Sequence, residues 1–281
     1  MTMDKCKNAL QMIKRMRPVR SSKHKGDYGR VLVIGGSEEY AGAAMMAGAA
    51  AKAVLAGGAD IVTVAAPEKV AWAINTLAPE IMTIKLRGRI IGKMHIPELL
   101  KRAERFDVIA IGNGIGKKSN PTVRELVKRL SMKGKLLVID ADALKAVRLQ
   151  DCRNAILTPH AEELRILLKN SGIRETGKAA IKRARKLLDN DVILAKGQKD
   201  RILSRAAEAV NSSGNAIMTK AGTGDVLAGL CAGFLAMTRE VFISACAAAY
   251  VNGAVGDLLL KKKGRTFTAT DMIKNIYRVY K

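Results

Sequence analysis

The sequence predicts an α/β domain with a mainly parallel central sheet and helices on both faces. Short β-branched and Leu-rich runs alternate with longer Ala/Leu/Lys-rich segments along the 281 residues, a pattern typical of β-α units. Several short runs are continuously apolar, which suits strands that are covered on both faces. The chain is 48% apolar and 26% charged, as expected of a globular protein. Without repeats or linkers, we expect a single domain over residues 1–281, with 1–16 as an N-terminal helical extension.

The strands are predicted from short β-branched runs that end at Gly, Asp, Pro or Lys. In chain order they are 30–35, 60–65, 81–86, 107–111, 135–140, 155–157, 191–195, 201–204 and 208–211. The hairpin over 201–211 is the expected antiparallel exception.

Helices are predicted where apolar residues recur at helical spacing. They are 43–56, 68–76, 121–132, 161–170, 175–189, 224–237, 241–260 and 271–280. The segment 241–260 is the longest apolar run, but it contains Asn252 and Asp257, which a membrane span would rarely carry. We therefore expect it to be a buried helix.

The chain is strongly basic, with 49 Lys+Arg against 25 Asp+Glu and a formal charge of +24. Such a charge raises nucleic acid as a partner. However, residues 1–30 carry nine basic and two acidic residues, whereas 31–75 carry two and four. Aromatic residues are only 4% of the chain, which leaves little for bases to stack on. We expect no nucleic-acid partner, and note that a small anionic substrate would gain from the positive field.

The four cysteines lie far apart and form no CxxC pair, which predicts reduced thiols rather than a zinc or redox motif. The first 20 residues lack the continuous apolar core of a signal peptide. The sequence therefore predicts a cytoplasmic protein. The Ala/Gly-rich helix 43–56 permits close packing within or between subunits, so a homo-oligomer stays open.

Unusual loops follow five of the predicted strands. They are 35–42, 112–116, 140–142, 158–160 and 196–200. Because sites in such folds lie at the carboxyl ends of the strands, we expect these loops to form one crevice.

The most informative segment is Ala221-Gly222-Thr223-Gly224-Asp225, which precedes an apolar helix. Its glycines allow a tight turn, and the free N–H groups at the helix start can bind phosphate or developing negative charge. Asp225 in the first turn can be a capping carboxylate or a base that accepts a proton from an attacking hydroxyl.

The remaining loops each have a functional and a structural interpretation. Lys196, beside Gly197, can contact phosphate or lie in a surface turn. Asp140 and Asp142 can hold Mg²⁺ through water or cap a helix. His160 can be a ligand or a structural residue. The glycines of 35–42 match neither a P-loop nor a dinucleotide fingerprint, and they favour close packing as much as binding.

Taken together, these loops resemble one family. The motifs are His24-Lys25-Gly26-Asp27-Tyr28-Gly29, Tyr40-Ala41-Gly42-Ala43, Gly112–Gly116, Asp140-Ala141-Asp142, Leu157-Thr158-Pro159-His160, Lys196-Gly197 and Gly222-Thr223-Gly224-Asp225. From about Arg17 to the C-terminus, this order is similar to the ADP/ATP-dependent NAD(P)H-hydrate dehydratases, which have a ribokinase-like fold. The family often carries a preceding epimerase domain, for which the residues ahead of Arg17 leave no room.

The resemblance implies a metabolite-repair lyase. ADP or ATP, with Mg²⁺, would phosphorylate the C6 hydroxyl of the S-epimer of hydrated NADH or NADPH, and loss of phosphate would restore the double bond. Asp225 would be the catalytic base, with an anion hole at Gly222, Thr223 and Gly224. The implied substrate contacts are Ala43, Gly114, His160, Glu163 and Asp225. The implied nucleotide contacts are Lys196, Gly197, Gln198, Lys199, Asp200 and Gly224.

Three positions depart from the family pattern. Asn113 stands where Gly-Pro-Gly is usual, Asp200 stands where Thr is frequent, and Lys220 stands where we expect an apolar residue. Lys220 would contact phosphate or face solvent. Two alternatives remain: a ribokinase-like small-molecule kinase of the hydroxyethylthiazole type, and a basic nucleic-acid-binding protein.

Overall fold

The computed structural model describes residues 5–16, 29–55 and 61–280. Within these residues every predicted strand is present, with ends shifted by at most two residues. The strands are β1 Arg30–Ile34, β2 Ile61–Pro67, β3 Met82–Leu86, β4 Val108–Ile111, β5 Leu136–Ile139, β6 Ala155–Leu157, β7 Val192–Ala195, β8 Asp200–Leu203 and β9 Glu208–Asn211. The motif His24–Tyr28 lies outside the described residues.

One sheet contains all of these strands, in the order β3-β2-β1-β4-β5-β6-β7-β8-β9. The first seven strands of this order run parallel, and β8 is antiparallel to both β7 and β9. The chain runs outward through β2 and β3 and then returns to β4 on the other side of β1. This reversal is the topological switch point at which α/β sheets bind ligands.

The predicted helices are present, together with further short ones. They are α1 Lys5–Met16, α2 Ala41–Leu55, α3 Glu68–Leu77, α4 Ile96–Ala103, α5 Asn120–Met132, α6 Asp142–Ala146, α7 Ala161–Asn170, α8 Gly177–Leu187, α9 Thr223–Thr238, α10 Val241–Lys263 and α11 Ala269–Tyr280. The helices α4 and α6 are not predicted from the sequence, because five to eight residues show too little periodicity to separate a helix from a loop.

The inner strands β1, β2 and β4 to β7 are buried on both faces, as their continuous apolar runs predict, whereas β3, β8 and β9 have exposed positions. Along β1, Val31 and Val33 join one apolar cluster, while Leu32 and Ile34 join the other. The first cluster includes residues of α1, α2, α3, α9, α10 and α11, and the second includes residues of α4 to α8. The extension α1 is part of the first core, since Cys6 and Ile13 are fully buried.

The helix α10 is long and apolar enough to cross a membrane by length and composition, yet about two thirds of its most apolar window is buried inside the protein. The interpretation of 241–260 as a core helix is therefore confirmed. The small residues of α2 are used inside the chain: a side chain at Gly229 of α9 would collide with the Ala47 carbonyl oxygen of α2. The Ala/Gly-rich composition of α2 is thus explained by packing within the chain, and a homo-oligomer stays a prediction.

Candidate active site

The five loops identified in the sequence follow β1, β4, β5, β6 and β7, which are consecutive neighbours in the sheet. Their carboxyl ends lie at one edge because the five strands are parallel. Gly36 N donates to Asn113 O across the switch point between β1 and β4, at 2.8 Å. The predicted crevice is therefore a feature of the structure.

The glycine loop before α9 forms a helix start. Gly222 is the N-cap with φ 91°, a left-handed conformation that favours glycine. The first intrahelical bond joins Val226 N to Gly222 O at 3.0 Å, so the N–H groups of Gly224 and Asp225 precede the hydrogen-bonded part of the helix. The Thr223 hydroxyl is engaged inside the turn, where it donates to the Met218 and Lys220 carbonyls. The groups that this loop can offer to an anion are thus backbone amides.

Asp225 lies at this helix start and is linked to the crevice through one side chain. Asn113 Nδ2 donates to Asp225 Oδ1 at 2.8 Å and to Asp140 Oδ2 at 2.9 Å. Burial raises the pKa of Asp225 to about 6, and the nearby Asp140 charge acts in the same direction, while Asn113 and Lys196 oppose both. A carboxyl group with this pKa is mostly ionised at pH 7 and can still take a proton readily.

Lys196 lies between the carboxylates and α9. Its Nζ is 3.1 Å from Asp140 Oδ1 and 3.7 Å from Glu163 Oε2. A Cβ atom at Gly224 would be 3.6 Å from the same Nζ, so the ammonium group borders the anion-binding helix start. Burial lowers the pKa of Lys196, but the charges of Asp140 and Glu163 outweigh it and the net shift is upward. The site therefore keeps a positive charge where a phosphate would enter.

Asp140 is the centre of this network. It is 2% exposed, and its Oδ1 accepts hydrogen bonds from Thr158 Oγ1 at 2.6 Å and from Lys196. The next residue, Ala141, has φ 50° and ψ −124°, a strained conformation for a residue with a side chain. Asp142 accepts from Gly116 N at 3.1 Å and from Lys145 Nζ at 2.8 Å. The two aspartates thus have separate sets of partners.

A cleft of about 1100 Å³ opens beside this network. Ala43 and Gly114 both line it, as the resemblance implies, and Asp142 lies on its opposite loop. Gly114 has φ 66°, and a Cβ atom there would be 2.5 Å from Tyr40 O and 3.0 Å from Ala43 Cβ. Only glycine fits this position, because it adopts a positive φ without strain and has no Cβ atom to collide with Tyr40.

His160 has a structural role at the start of α7. Its Nδ1 accepts from the backbone N–H groups of Glu162 and Glu163, at 3.2 and 3.4 Å. Its Nε2 is 3.3 Å from Glu163 Oε1, and Glu163 is 4% exposed. His160 itself is exposed at the crevice, so the capping role leaves its outer face accessible.

The predicted nucleotide segment forms the turn between β7 and β8. Gly197, Gln198 and Lys199 are exposed in this turn. The Asp200 carboxylate is used to shape it, because it accepts from Gly197 N and from Asn211 Nδ2, both at 3.1 Å. Burial raises the pKa of Asp200.

The structure gives the ammonium group of Lys220 partners that neither interpretation included. Its ammonium group donates to the carbonyl oxygens of Arg265 and Phe267, and lies 4.7 Å above the Phe267 ring. It fastens the anion loop to the segment between α10 and α11. Sequence reasoning also missed the bridging role of Asn113 and the contact of Thr158 with Asp140, because the partners are 112 and 18 residues away along the chain.

No group of three or more His, Cys, Asp or Glu side chains among the described ranges is placed to hold a metal ion. Three oxygens of Asp140 and Asp225 accept protein hydrogen bonds, which does not fit a preformed Mg²⁺ cage. The described residues therefore show no preformed cation site, and a water-mediated Mg²⁺ at Asp140 and Asp142 stays a prediction.

Several known proteins are similar to this chain. A bifunctional NAD(P)H-hydrate repair enzyme of Pyrobaculum aerophilum is 41% identical over 264 residues, which are 92% of this chain and 52% of that protein. The chain spans about half the length of the bifunctional relatives that it matches. An ADP-dependent (S)-NAD(P)H-hydrate dehydratase of Nitrosopumilus maritimus is 32% identical over 277 residues, and the match covers 95% of that protein.

A solved ribokinase-like superfamily protein of Enterococcus faecalis superposes with a TM-score of 0.81 at 26% identity. The match covers 98% of this chain and 93% of that one. A family model described as NAD(P)H-hydrate dehydratase matches residues 31–278, a range that includes all five loops and the start of α9. The ribokinase-like fold is thus confirmed, and the chain belongs to the NAD(P)H-hydrate dehydratase family.

Proposed function

We propose that the chain repairs hydrated NADH and NADPH by nucleotide-dependent dehydration of the S-epimer. The observation that carries this proposal is the coincidence of Asp225, the amides of Gly224 and Asp225, and the Lys196 ammonium group at one helix start. These groups supply a base, an anion hole and a positive charge. The proposal is supported by the family and by the name of the Nitrosopumilus maritimus relative.

In the first step, Asp225 accepts the proton of the C6 hydroxyl while the hydroxyl oxygen bonds to the terminal phosphorus of the nucleotide. The transition state is loose, so the base mainly orients the hydroxyl. The helix start and Lys196 stabilise the charge on the phosphoryl oxygens. With ADP as the donor, the other product is AMP.

In the second step, the C6–O bond breaks and phosphate leaves with the bonding electrons. Water accepts a proton from C5, the electrons of that C–H bond form the C5–C6 double bond, and the reduced nicotinamide ring returns. Phosphorylation is needed because hydroxide is a poor leaving group and phosphate is a good one. The same helix start would stabilise the charge of the departing phosphate.

Substrate and nucleotide would occupy the two sides of Asp225. The hydrated dinucleotide would bind in the cleft lined by Ala43 and Gly114 and would extend to the exposed ring of His160. The nucleotide would bind along the turn from Lys196 to Asp200. Mg²⁺ would be held by nucleotide phosphates and water, since protein carboxylates offer no cage. A cytoplasmic location and the oligomeric state remain predictions.

The test is a coupled assay with hydrated NADH or NADPH and with ADP or ATP in separate tubes. We expect recovery of reduced-nicotinamide absorbance and release of phosphate at equal rates, with ADP as the better donor. A stable phosphorylated product without phosphate release would instead indicate a small-molecule kinase. Nucleic-acid binding that falls steeply with salt, without turnover, would indicate the other alternative.

A further inference from the structure

Asn113 makes an unusual set of contacts for a residue in a glycine-rich loop. It is fully buried, and both N–H bonds of its amide are directed at carboxylates, Asp140 Oδ2 and Asp225 Oδ1. These carboxylates come from different elements, the loop after β5 and the first turn of α9. The amide is therefore the direct link between the sheet edge and the helix start.

The orientation of the amide is fixed by charge. Turned around, its oxygen would face two carboxylates and be repelled by both. In the observed orientation, Asn113 Oδ1 is buried without a hydrogen-bond partner. An orphaned buried oxygen is costly, and native proteins carry few of them. Asn113 nevertheless has this orientation, because both N–H groups of its amide donate to carboxylates.

We propose that Asn113 is a positioning residue, whose amide holds the base Asp225 in place and keeps it ionised beside Asp140. This inference rests on the proposed function for its effect on turnover. The charged groups that face Asp225 are Asp140 from the sheet edge and Lys196 from the turn after β7. Lys196 is shared with Glu163 of α7, so it balances the two aspartates only in part.

Removing the two donors would leave Asp140 and Asp225 to repel each other. A hydrogen bond to a charged group is strong enough to move a pKa by about one unit or more. The backbone role of the residue would survive, because Gly36 N bonds to the Asn113 carbonyl oxygen and not to its side chain. A change of side chain therefore separates positioning of the base from support of the loop.

The experiment compares wild type with N113L, which keeps the size of the side chain and removes its donors. Asn113→Ser is the second variant, in case the leucine prevents folding. Asn252→Leu is the matched control, since Asn252 lies on α10 outside the network and also has a buried amide oxygen without a partner. The readouts are the pH profile of kcat/KM and of kcat, and the KM of the nucleotide.

We expect the acid limb of wild type near pH 6 and that of N113L about one pH unit higher or more. We also expect a kcat at least about tenfold lower at pH 7, with a nucleotide KM within about threefold. Asn252→Leu should leave the acid limb in place. A folded N113L or N113S protein whose acid limb coincides with that of wild type would overturn the positioning role.

A readout without turnover separates this inference from the proposed function. Asp225→Asn is introduced into wild type and into N113L, and the pH dependence of thermal unfolding is compared within each pair. The midpoint of the Asp225-dependent change should move from about pH 6 to about pH 7 when Asn113 is replaced. If the midpoint moves but wild type has no dehydratase activity, the proposed function is refuted and the positioning role of Asn113 is supported. If wild type is active but the midpoint does not move, the positioning role is refuted and the proposed function is supported.

Discussion

Asp225→Asn is expected to abolish turnover and, at the same time, to stabilise the fold. The carboxyl group has a pKa of about 6 in the folded protein against a reference of 3.8, with burial as the largest cause. Its charged form is thus less favourable in the folded state than in the unfolded state. A carboxylate that is buried away from water and ionised at neutral pH destabilises the folded protein.

The magnitude follows from the two pKa values. At 1.36 kcal/mol per pKa unit, the difference between 3.8 and about 6 corresponds to about 3 kcal/mol. An unfolding entropy of about 2.1 cal/mol/K per residue gives about 0.6 kcal/mol/K for 281 residues. The variant should therefore melt up to about 5 °C above wild type at pH 8.

The sign fixes the pH window. Because the folded pKa is raised, the wild-type contribution of Asp225 is fully present below pH 3.8 and is lost as the pH rises through about 6. The melting temperatures of wild type and Asp225→Asn should then meet near pH 4 and separate up to about pH 7. The assay is thermal unfolding of both proteins at half-unit pH intervals, together with turnover of hydrated NADH at pH 7.5.

Asp271→Asn is a control of the opposite sign. The hydrogen bond from Lys263 and the backbone N–H of Thr268 lower the pKa of Asp271 to about 2. Its charge stabilises the fold above pH 3.8, and that stability is lost as the pH falls through about 2. The control variant should be less stable than wild type at pH 8. An Asp225→Asn protein that gains no stability between pH 4 and pH 8, or that turns over normally, would refute the reasoning.

Three further predictions test other parts of the site. Lys196→Met should lower kcat by about 10²–10³, since it removes one donor to developing phosphoryl charge, and steady-state kinetics with saturating nucleotide measures this. Gly114→Ala should raise the KM of hydrated NADH at least about tenfold with nucleotide KM unchanged, because the new Cβ lies 2.5 Å from Tyr40 O. Lys220→Met should lower the melting temperature by roughly 2–5 °C, with kcat within about twofold at 25 °C, because the ammonium group fastens the segment at Phe267 rather than substrate. Equal loss of kcat in Lys220→Met and Lys196→Met would contradict the separation of their roles.

The fold could be predicted from the sequence because its inner strands are short, mainly apolar and separated by turn residues. In β1, successive residues from Val31 to Ile34 join opposite cores, so all four are apolar. The short helices α4 and α6 could not be predicted, since one or two turns have little periodicity. The start of α8 at Gly177 was placed two residues early because Glu175 and Thr176 resemble a helix start equally well.

The loops of the site could be predicted from the sequence, whereas the hydrogen bonds between their side chains could not. Parallel strands bring their carboxyl ends to one edge whatever the side chains are, so β-α order alone indicates the crevice. Which side chain bonds to which depends on the relative placement of α9 and the sheet, and no local signal encodes that. Asn113 illustrates the limit: its sequence context is a glycine turn, and its partners lie 27 and 112 residues further along the chain.

The network also supports the proposal that Asp225, rather than its neighbour Asp140, is the base. Asp140 has two hydrogen-bond donors and a nearby ammonium group, from Asn113, Thr158 and Lys196. Asp225 has one side-chain donor, and burial, followed by the charge of Asp140, raises its pKa to about 6. A carboxyl group with this pKa accepts a proton more readily at neutral pH than an ordinary aspartate does. Thr158→Val removes a donor from Asp140 alone and leaves the donor of Asp225 in place. The acid limb of Thr158→Val should therefore move less than that of N113L, and equal movements in the two variants would indicate simple loss of packing.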